Sequence, residues 1–326
     1  MTVTTRPQAV RTTGPVSPRA RVLYLGGLGR SGTTVLERVL GQLPGVVTAG
    51  ELVHLWQRGV LDDETCGCGT PFSACPFWTE VGRRAFGGWD RALAERMVAL
   101  HDRVDRTRHV PLLLVPALLG GRRAELAEYV RTSVALHEAV SATAGGAVVI
   151  DSSKHSSLAF VLRTSGDLDL RVVHVVRDSR GVAYSWTKEV QRPEASGGSL
   201  MTRYSPTRSS VLWTGHNLLF ALLRRLGTPV RLLRYEDFVA APGPVLDGLA
   251  AFAGLPGSGD VVEGDTVELA PSHTVAGNPM RFRTGRISLR RDDAWRTRLP
   301  RGRRRLVTAL TAPLLLRYGY LRRNAR

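Results

Sequence analysis

The stretch from Arg21 to Leu43 restricts the fold more than any other part of this 326-residue chain. Arg21-Val-Leu-Tyr-Leu25 is mostly β-branched, aromatic and aliphatic, which suits a buried strand. Gly26, Gly27 and Gly29 then permit a tight backbone turn. Beyond Gly32, apolar Val35, Leu36, Val39, Leu40 and Leu43 recur at helical spacing. A strand, a glycine turn and a helix in that order build an anion site. The unpaired N–H groups and the positive dipole end of the helix face whatever lies in the turn. The backbone at Gly29 and Gly32, the Arg30 guanidinium and the hydroxyls of Ser31, Thr33 and Thr34 are the expected donors, and a phosphate-like group is the expected occupant.

The turn nearly matches the nucleotide-triphosphate template G-x-x-x-x-G-K-[ST]. Gly27 and Gly32 have its spacing and Thr34 its final hydroxyl, but Thr33 stands where the lysine belongs. That lysine reaches the β- and γ-phosphates, so its loss argues against a triphosphate and Arg30 argues for a smaller anion. Three further strand signals follow. Leu43 to Thr48 enters a short strand that leads into Ala49-Gly50-Glu51 and on to His54, Ala147 to Asp151 leads into Ser152-Ser153-Lys154, and Arg171 to Val176 into Arg177-Asp178 with Ser185 eight residues beyond Arg177. A carboxylate just past a strand end suits a general base, with His54 the competing candidate. Asp151 also fits a magnesium-binding strand end, the best argument for a kinase or other NTPase.

Taken together, R-S-G-T-T at residues 30–34 and R-D-x-R-x-x-x-x-S at 177–185 resemble the sulfotransferases that use 3′-phosphoadenosine 5′-phosphosulfate (PAPS). The spelling of the loop and the early Glu are closer to the tyrosylprotein- and carbohydrate-directed and bacterial types than to the cytosolic phenol type. The resemblance covers residues 21 to about 297. It implies an α/β, P-loop-type three-layer fold, with a central parallel sheet flanked by helices and a helical cap insertion. It implies that loop 29–34 holds the 5′-phosphosulfate, that Glu51 is the base, and that Lys154 and Arg30 meet charge developing on the transferring group. Arg177 and Ser185 would grip the 3′-phosphate, and Tyr235 would touch the donor. Phe282-Arg283-Thr284-Gly285 is similar to an F-R-K-G segment that closes over the 3′-phosphate, with Thr284 in place of its Lys. Arg283 and the Gly285 backbone remain the expected contacts there, with Arg281 in reserve. No metal is required by this chemistry.

Cys66, Cys68 and Cys75 crowd one short segment ending in Pro-Phe-Trp78. With His54 they make a conceivable Cys₃His zinc set, and two of them a conceivable disulfide, but C-x-C is not the usual C-x₂-C knuckle. Free structural thiols are the expectation. Similar Cys-rich segments before Pro-Phe-Trp occur in bacterial sulfotransferase-like proteins.

Met1 to Ala20 reads as a disordered leader without an apolar signal core, and residues 21–326 as one domain. Residues 79–144 read as a helical cap that shapes an acceptor pocket, 191–210 as a mobile loop and 300–326 as a basic helix. The longest apolar run, Val110 to Leu119, is about half the length needed to span a bilayer, so a soluble cytoplasmic protein is expected. Net charge is +17 with a pI near 11.1. A basic, non-catalytic binding protein is therefore the third functional class, but no nucleic-acid motif accompanies the charge and no nucleic-acid partner is expected. Weak contact with an anionic membrane surface through the tail is allowed. The acceptor is left open among small molecules, carbohydrates, lipids and peptides, and may be a hydroxyl or an amine.

Overall fold

The structure is a computed structural model that describes residues 19–191 and 200–321. All but the last two residues of the leader, and residues 322–326 of the tail, therefore lie outside the described residues. The anion loop is framed by strand β1 (Arg21–Gly26) and helix α1 (Thr33–Leu40). The chain then makes β2 (Val46–Gly50) and a short 3₁₀ turn, and winds residues Leu55–Leu61 as a π-helix. Helices α2 (Pro76–Phe86), α3 (Arg91–Val104), α4 (Val110–Leu114) and α5 (Arg122–Thr143) follow before β3 (Val148–Lys154). Next come α6 (Ser156–Arg163), β4 (Asp169–Val176), α7 (Ser179–Thr187), α8 (Pro206–Arg225) and β5 (Val230–Arg234). The five strands are parallel in the order β2-β3-β1-β4-β5.

Strand alternation divides the core into three layers. Leu23 and Leu25 of β1, Val148 and Ile150 of β3, and Val173 and Val175 of β4 share one face. They pack on α1 and on the helices after β5, α9 (Tyr235–Ala240) and α10 (Pro242–Ala253). Val22, Tyr24, Val149 and Val172 point to the other face, against α2, α3, α5, α6 and α8. Each such fully buried aliphatic side chain contributes roughly 1.5–3 kcal/mol relative to exposure. The expected P-loop-type α/β fold is thus the observed one.

The C-terminal part adds a second, antiparallel sheet of β6 (Val262–Glu263), β7 (Thr266–Leu269) and β8 (Gly285–Ser288), which the sequence reading missed. A short helix α11 (Trp295–Arg298) and the long α12 (Arg301–Arg317) close the chain. Helix α12 buries Val307 and Leu315, so the basic tail rests on the protein along that side. Between β7 and β8 the chain returns to the main sheet. Val275 forms a parallel bridge to Gly50, donates its N–H to Ala49 at 3.0 Å, and accepts from the Glu51 N–H at 2.8 Å.

Two expectations need correction. Residues 79–144 are helical, but among the described residues none of them lines the main cavity. The segment packs beneath the sheet, and its apolar faces are used up in that core. The expected loop 191–210 is shorter, because Pro206, suited to a first helical turn, starts α8; residues 192–199 lie outside the described residues. Glu236 and Asp237 sit in the first turn of α9. There Glu236 accepts from the Asp178 N–H at 3.1 Å and the Tyr320 hydroxyl at 2.6 Å.

Candidate active site

Loop 27–32 turns by leaving the ordinary backbone regions. Gly27 and Gly32 have φ of 148° and 90°, and Arg30, a non-glycine residue, has φ of 74°. Gly32 has no alternative, since a Cβ there would lie 2.2 Å from the Tyr235 ring. The turn opens on a cavity of about 680 Å³ at the carboxyl ends of the parallel strands, where open α/β sheets hold ligands. Gly29, Arg30, Gly32, Thr33 and Thr34 line it, together with Glu51, Lys154, Arg177, Ser185 and Tyr235. Residues from five separate chain segments therefore meet around one space. Ser31 is packed behind the loop. Its buried Oγ, like the buried Nε of Arg30, has no hydrogen-bond partner among the described residues. Burial lowers the pKa of Arg30, and nearby Glu51 only partly opposes this. An unpartnered buried guanidinium N–H at a glycine loop is a donor that fits an anionic ligand.

Arg283 and Gly285 are not brought to the cavity. Gly285 is paired with Leu269 in the second sheet, and Arg283 is exposed while its carbonyl accepts from Arg38 at 2.7 Å. Arg281 is also committed elsewhere. It is buried and donates to the carbonyls of Thr274 (2.8 Å) and Thr65 (2.7 Å).

Glu51 and Lys154 form an ion pair at the cavity wall. Burial alone would raise the Glu51 pKa, but the Lys154 ammonium, with His54 and His155, holds it below the usual carboxylate range. Lys154 carries φ of 69°, an unusual backbone for a lysine at the end of a strand. His54 approaches Glu51 at 3.7 Å and packs edge-on against His155. Burial drives His54, His155 and the facing His216 each down to about 4, so all three are neutral at pH 7. His155 and His216 are cavity residues that the sequence reading did not single out.

Arg177 lies in the cavity wall beside the loop. Its guanidinium sits 4.9 Å over the Tyr235 ring, donates to the Arg30 carbonyl at 3.2 Å, and pairs with Asp292 at 3.2 Å. Lys188 also reaches Asp292, at 3.3 Å. Burial pushes the Asp292 pKa up, yet Arg177 and Lys188 together bring it below its ordinary value. Asp292 was legible only as one of two adjacent acids without a role.

A second missed residue is Glu37 of α1. It is 2% exposed, accepts from the Gly50 N–H (2.8 Å) and from the Ser152 hydroxyl (2.6 Å), and so ties α1 to β2 and β3. Burial raises its pKa to about 7 despite those bonds. Asp151, the candidate magnesium ligand, is fully buried and lies outside the cavity lining. Its carboxylate accepts from Ser153 N–H at 2.9 Å and meets His137 Nε2 at 3.1 Å.

Among the described residues no helix is long and apolar enough to cross a membrane. No protein-family model matches the chain, and no curated protein matches its sequence. Two sulfotransferase domains are among the solved structures that resemble it. The sulfotransferase domain from the Synechococcus PCC 7002 olefin synthase is 21% identical, with 73% of this chain and 74% of that one covered at a TM-score of 0.39. The sulfotransferase domain from the curacin biosynthetic pathway is 14% identical, with 91% of this chain and 99% of that one covered at a TM-score of 0.48. Likeness at this level assigns no activity, and the chemistry has to come from the cavity itself.

Proposed function

We propose that the protein is a PAPS-dependent sulfotransferase that moves a sulfuryl group to a hydroxyl or amine acceptor. The observation that carries this reading is one cavity lined by two sets of anion-binding groups from different parts of the fold. The glycine loop and Lys154 form one end of this lining, and Arg177 with Ser185, from the end of β4 and from α7, forms the other, next to the loop. A donor with a 5′-phosphosulfate and a 3′-phosphate presents anions to both. An ATP enzyme has no use for the second end, and Asp151 is too enclosed to hold its magnesium.

In this mechanism the acceptor oxygen or nitrogen attacks sulfur opposite the bridging oxygen. The new bond to sulfur forms as the sulfur–oxygen bond to the 5′-phosphate breaks. The acceptor proton passes to a Glu51 oxygen, and adenosine 3′,5′-bisphosphate leaves. Loop N–H groups and Arg30 meet charge on the sulfuryl oxygens, and Lys154 meets charge on the bridging oxygen. A carboxylate bound to an ammonium is a weak base. Entry of the anionic donor draws Lys154 from Glu51 and restores basicity where the acceptor proton must go. His54, neutral at pH 7, is the competing proton acceptor at this position. Trp186, Tyr204, Leu212 and Met201 give part of the same cavity an apolar wall suited to a hydrophobic portion of donor or acceptor.

Calorimetric titration with adenosine 3′,5′-bisphosphate, AMP, and ATP with Mg²⁺ tests the donor. Clear preference for the bisphosphate is expected. Preference for ATP with Mg²⁺ would replace this reading with a P-loop kinase. Binding of none of the three, with salt-sensitive binding of a polyanion, would favour a non-catalytic basic protein. The acceptor, whether small molecule, carbohydrate, lipid or peptide, then follows from a screen with labelled PAPS.

A further inference from the structure

The three cysteines do not meet His54. They meet His273, 198 residues after Cys75, and one ligand atom from each of Cys66, Cys68, Cys75 and His273 lies within 4.8 Å of the others. Cys68 and Cys75 sulfurs are 3.8 Å apart, and Cys75 Sγ is 3.2 Å from His273 Nδ1. In a tetrahedral zinc site, bond lengths of about 2.3 Å to sulfur and about 2.0–2.1 Å to nitrogen give edges of about 3.7 Å (S···S) and about 3.5 Å (S···N). The Cys68–Cys75 and Cys75–His273 edges thus stand within about 0.3 Å of the spacing that the ion imposes, and the Cys68–Cys75 separation is well beyond a disulfide bond.

The surroundings are those of a built site. Cys66 and Cys75 are buried, and Cys68 and His273 partly so. Residues Thr65 to Pro71 form a tight knuckle, with Cys66 N–H bound to Thr70 O at 2.7 Å and Gly69 N–H to Cys66 O at 2.9 Å. Cys75 precedes the first turn of α2, where a thiolate is favoured. His273 is oriented from two sides. The Phe77 ring stacks on it with centroids 5.0 Å apart, and Trp78 Nε1 donates to its carbonyl at 2.8 Å. Fixing a ligand ring in this way is the usual task of a metal site's outer residues.

We propose that Cys66, Cys68, Cys75 and His273 Nδ1 bind a structural Zn²⁺ ion, with the three cysteines as thiolates whose protons are released on binding. All four positions are filled by protein, so the ion holds structure and is closed to substrate. What it holds is the return segment 272–278. Gly67 N–H already binds Thr274 O at 2.9 Å, and Val275 bridges to Gly50. Gly277 lies so close to Glu51 that a Cβ there would be 3.1 Å from Oε1. The ion therefore clamps the segment that backs the Glu51 carboxylate. This inference rests on the four ligands alone and is independent of what the cavity catalyses.

The experiment is metal analysis of the full chain, purified without added metal and dialysed. A single zinc ion per chain is expected, released only by chelator with denaturant. Cobalt exchanged into the site should give the visible d–d bands and thiolate charge-transfer bands of a tetrahedral thiolate-rich centre. Cys75→Ser and His273→Ala should lose the zinc, whereas His273→Cys, which offers four thiolates, should regain it. In the wild type, thiol-reactive dye should reach the cysteines only after chelation. Substoichiometric zinc in wild-type protein even when zinc is supplied, with all three thiols freely titratable, would overturn the proposal. So would a Cys68–Cys75 disulfide found by mass spectrometry in protein kept under non-reducing conditions.

Discussion

The sharpest test of the donor assignment is the discrimination between adenosine 3′,5′-bisphosphate and AMP in Arg177→Ala. Arg177 is 9% exposed, backed by the Tyr235 ring and bonded to the Arg30 carbonyl of the loop. A forked guanidinium on a phosphate makes two charge-assisted hydrogen bonds, each worth about 1.5–3 kcal/mol. Part of that is already engaged by Asp292, a half-exposed partner whose pairing is worth roughly 0.2–1 kcal/mol. A net loss of about 2–6 kcal/mol follows, or at least roughly 30-fold in affinity for the bisphosphate. AMP has no 3′-phosphate and should lose almost nothing. The ratio of the two dissociation constants, measured by calorimetry at fixed salt, should therefore collapse toward unity. Arg177→Lys keeps the charge but not the fork and should fall between. Asp292→Asn should act oppositely, freeing both Arg177 and Lys188 and tightening the bisphosphate by about two- to tenfold. If Arg177→Ala leaves the ratio unchanged while the chain stays folded, the 3′-phosphate site is not where this reasoning puts it.

Three further outcomes are expected. Glu51→Gln should lower kcat by roughly 10²–10⁴-fold with bisphosphate affinity held or improved, because Lys154 is released; full turnover would remove Glu51 as the base. Glu37 should make stability depend on pH. Its folded pKa of about 7 lies above the ordinary 4.5, so the folded chain keeps a proton that the unfolded chain gives up, and stability falls as pH rises through that window. The loss is on the order of 3 kcal/mol. Glu37→Gln should flatten this slope and melt above the parent at pH 8, and parallel pH–Tm curves would contradict the burial argument. Gly32→Ala meets both a left-handed φ and the Tyr235 ring, so it should cost at least about 1–2 kcal/mol in scanning calorimetry and abolish bisphosphate binding; wild-type Tm and affinity would show that the loop yields.

The elements read most easily were those whose signal is local. β1, β3 and β4 are short runs of Val, Leu and Ile, and the turn after β1 is spelled by its glycines. The cavity's main residues were legible for the same reason: Arg30, Glu51, Lys154 and Arg177 all follow directly on strands or belong to the loop. What stayed hidden depends on contacts remote in sequence. Glu37 looks like an ordinary helix-surface glutamate, until α1 turns it toward Gly50 and Ser152. His273 is separated from the cysteines by most of the sheet, so the search for a fourth ligand stopped at His54. Arg283 failed in the opposite sense. A local likeness suggested a donor contact, but the glycine two residues on is drawn into β8, and the segment faces solvent.

The geometry around Glu51 also bears on which partner in its ion pair moves. Gly50 is held by Glu37, the Glu51 N–H by Val275, and the Val53 N–H by the Ser153 hydroxyl at 3.0 Å. Gly277 closes the remaining side. The carboxylate is thus fixed by its backbone on every flank. Lys154 has a long side chain and a left-handed backbone angle at the end of its strand. When an anion enters beside the loop, rearrangement costs less at Lys154 than at Glu51. A base that stays in place while its counter-ion leaves can be activated by substrate without any closure of the fold. Lys154→Met separates the two contributions. It should leave Glu51 in position with its acid limb shifted toward the ordinary carboxylate value, and it should still lose turnover because the leaving oxygen has no cation. If instead turnover rises, Lys154 serves only to restrain the base.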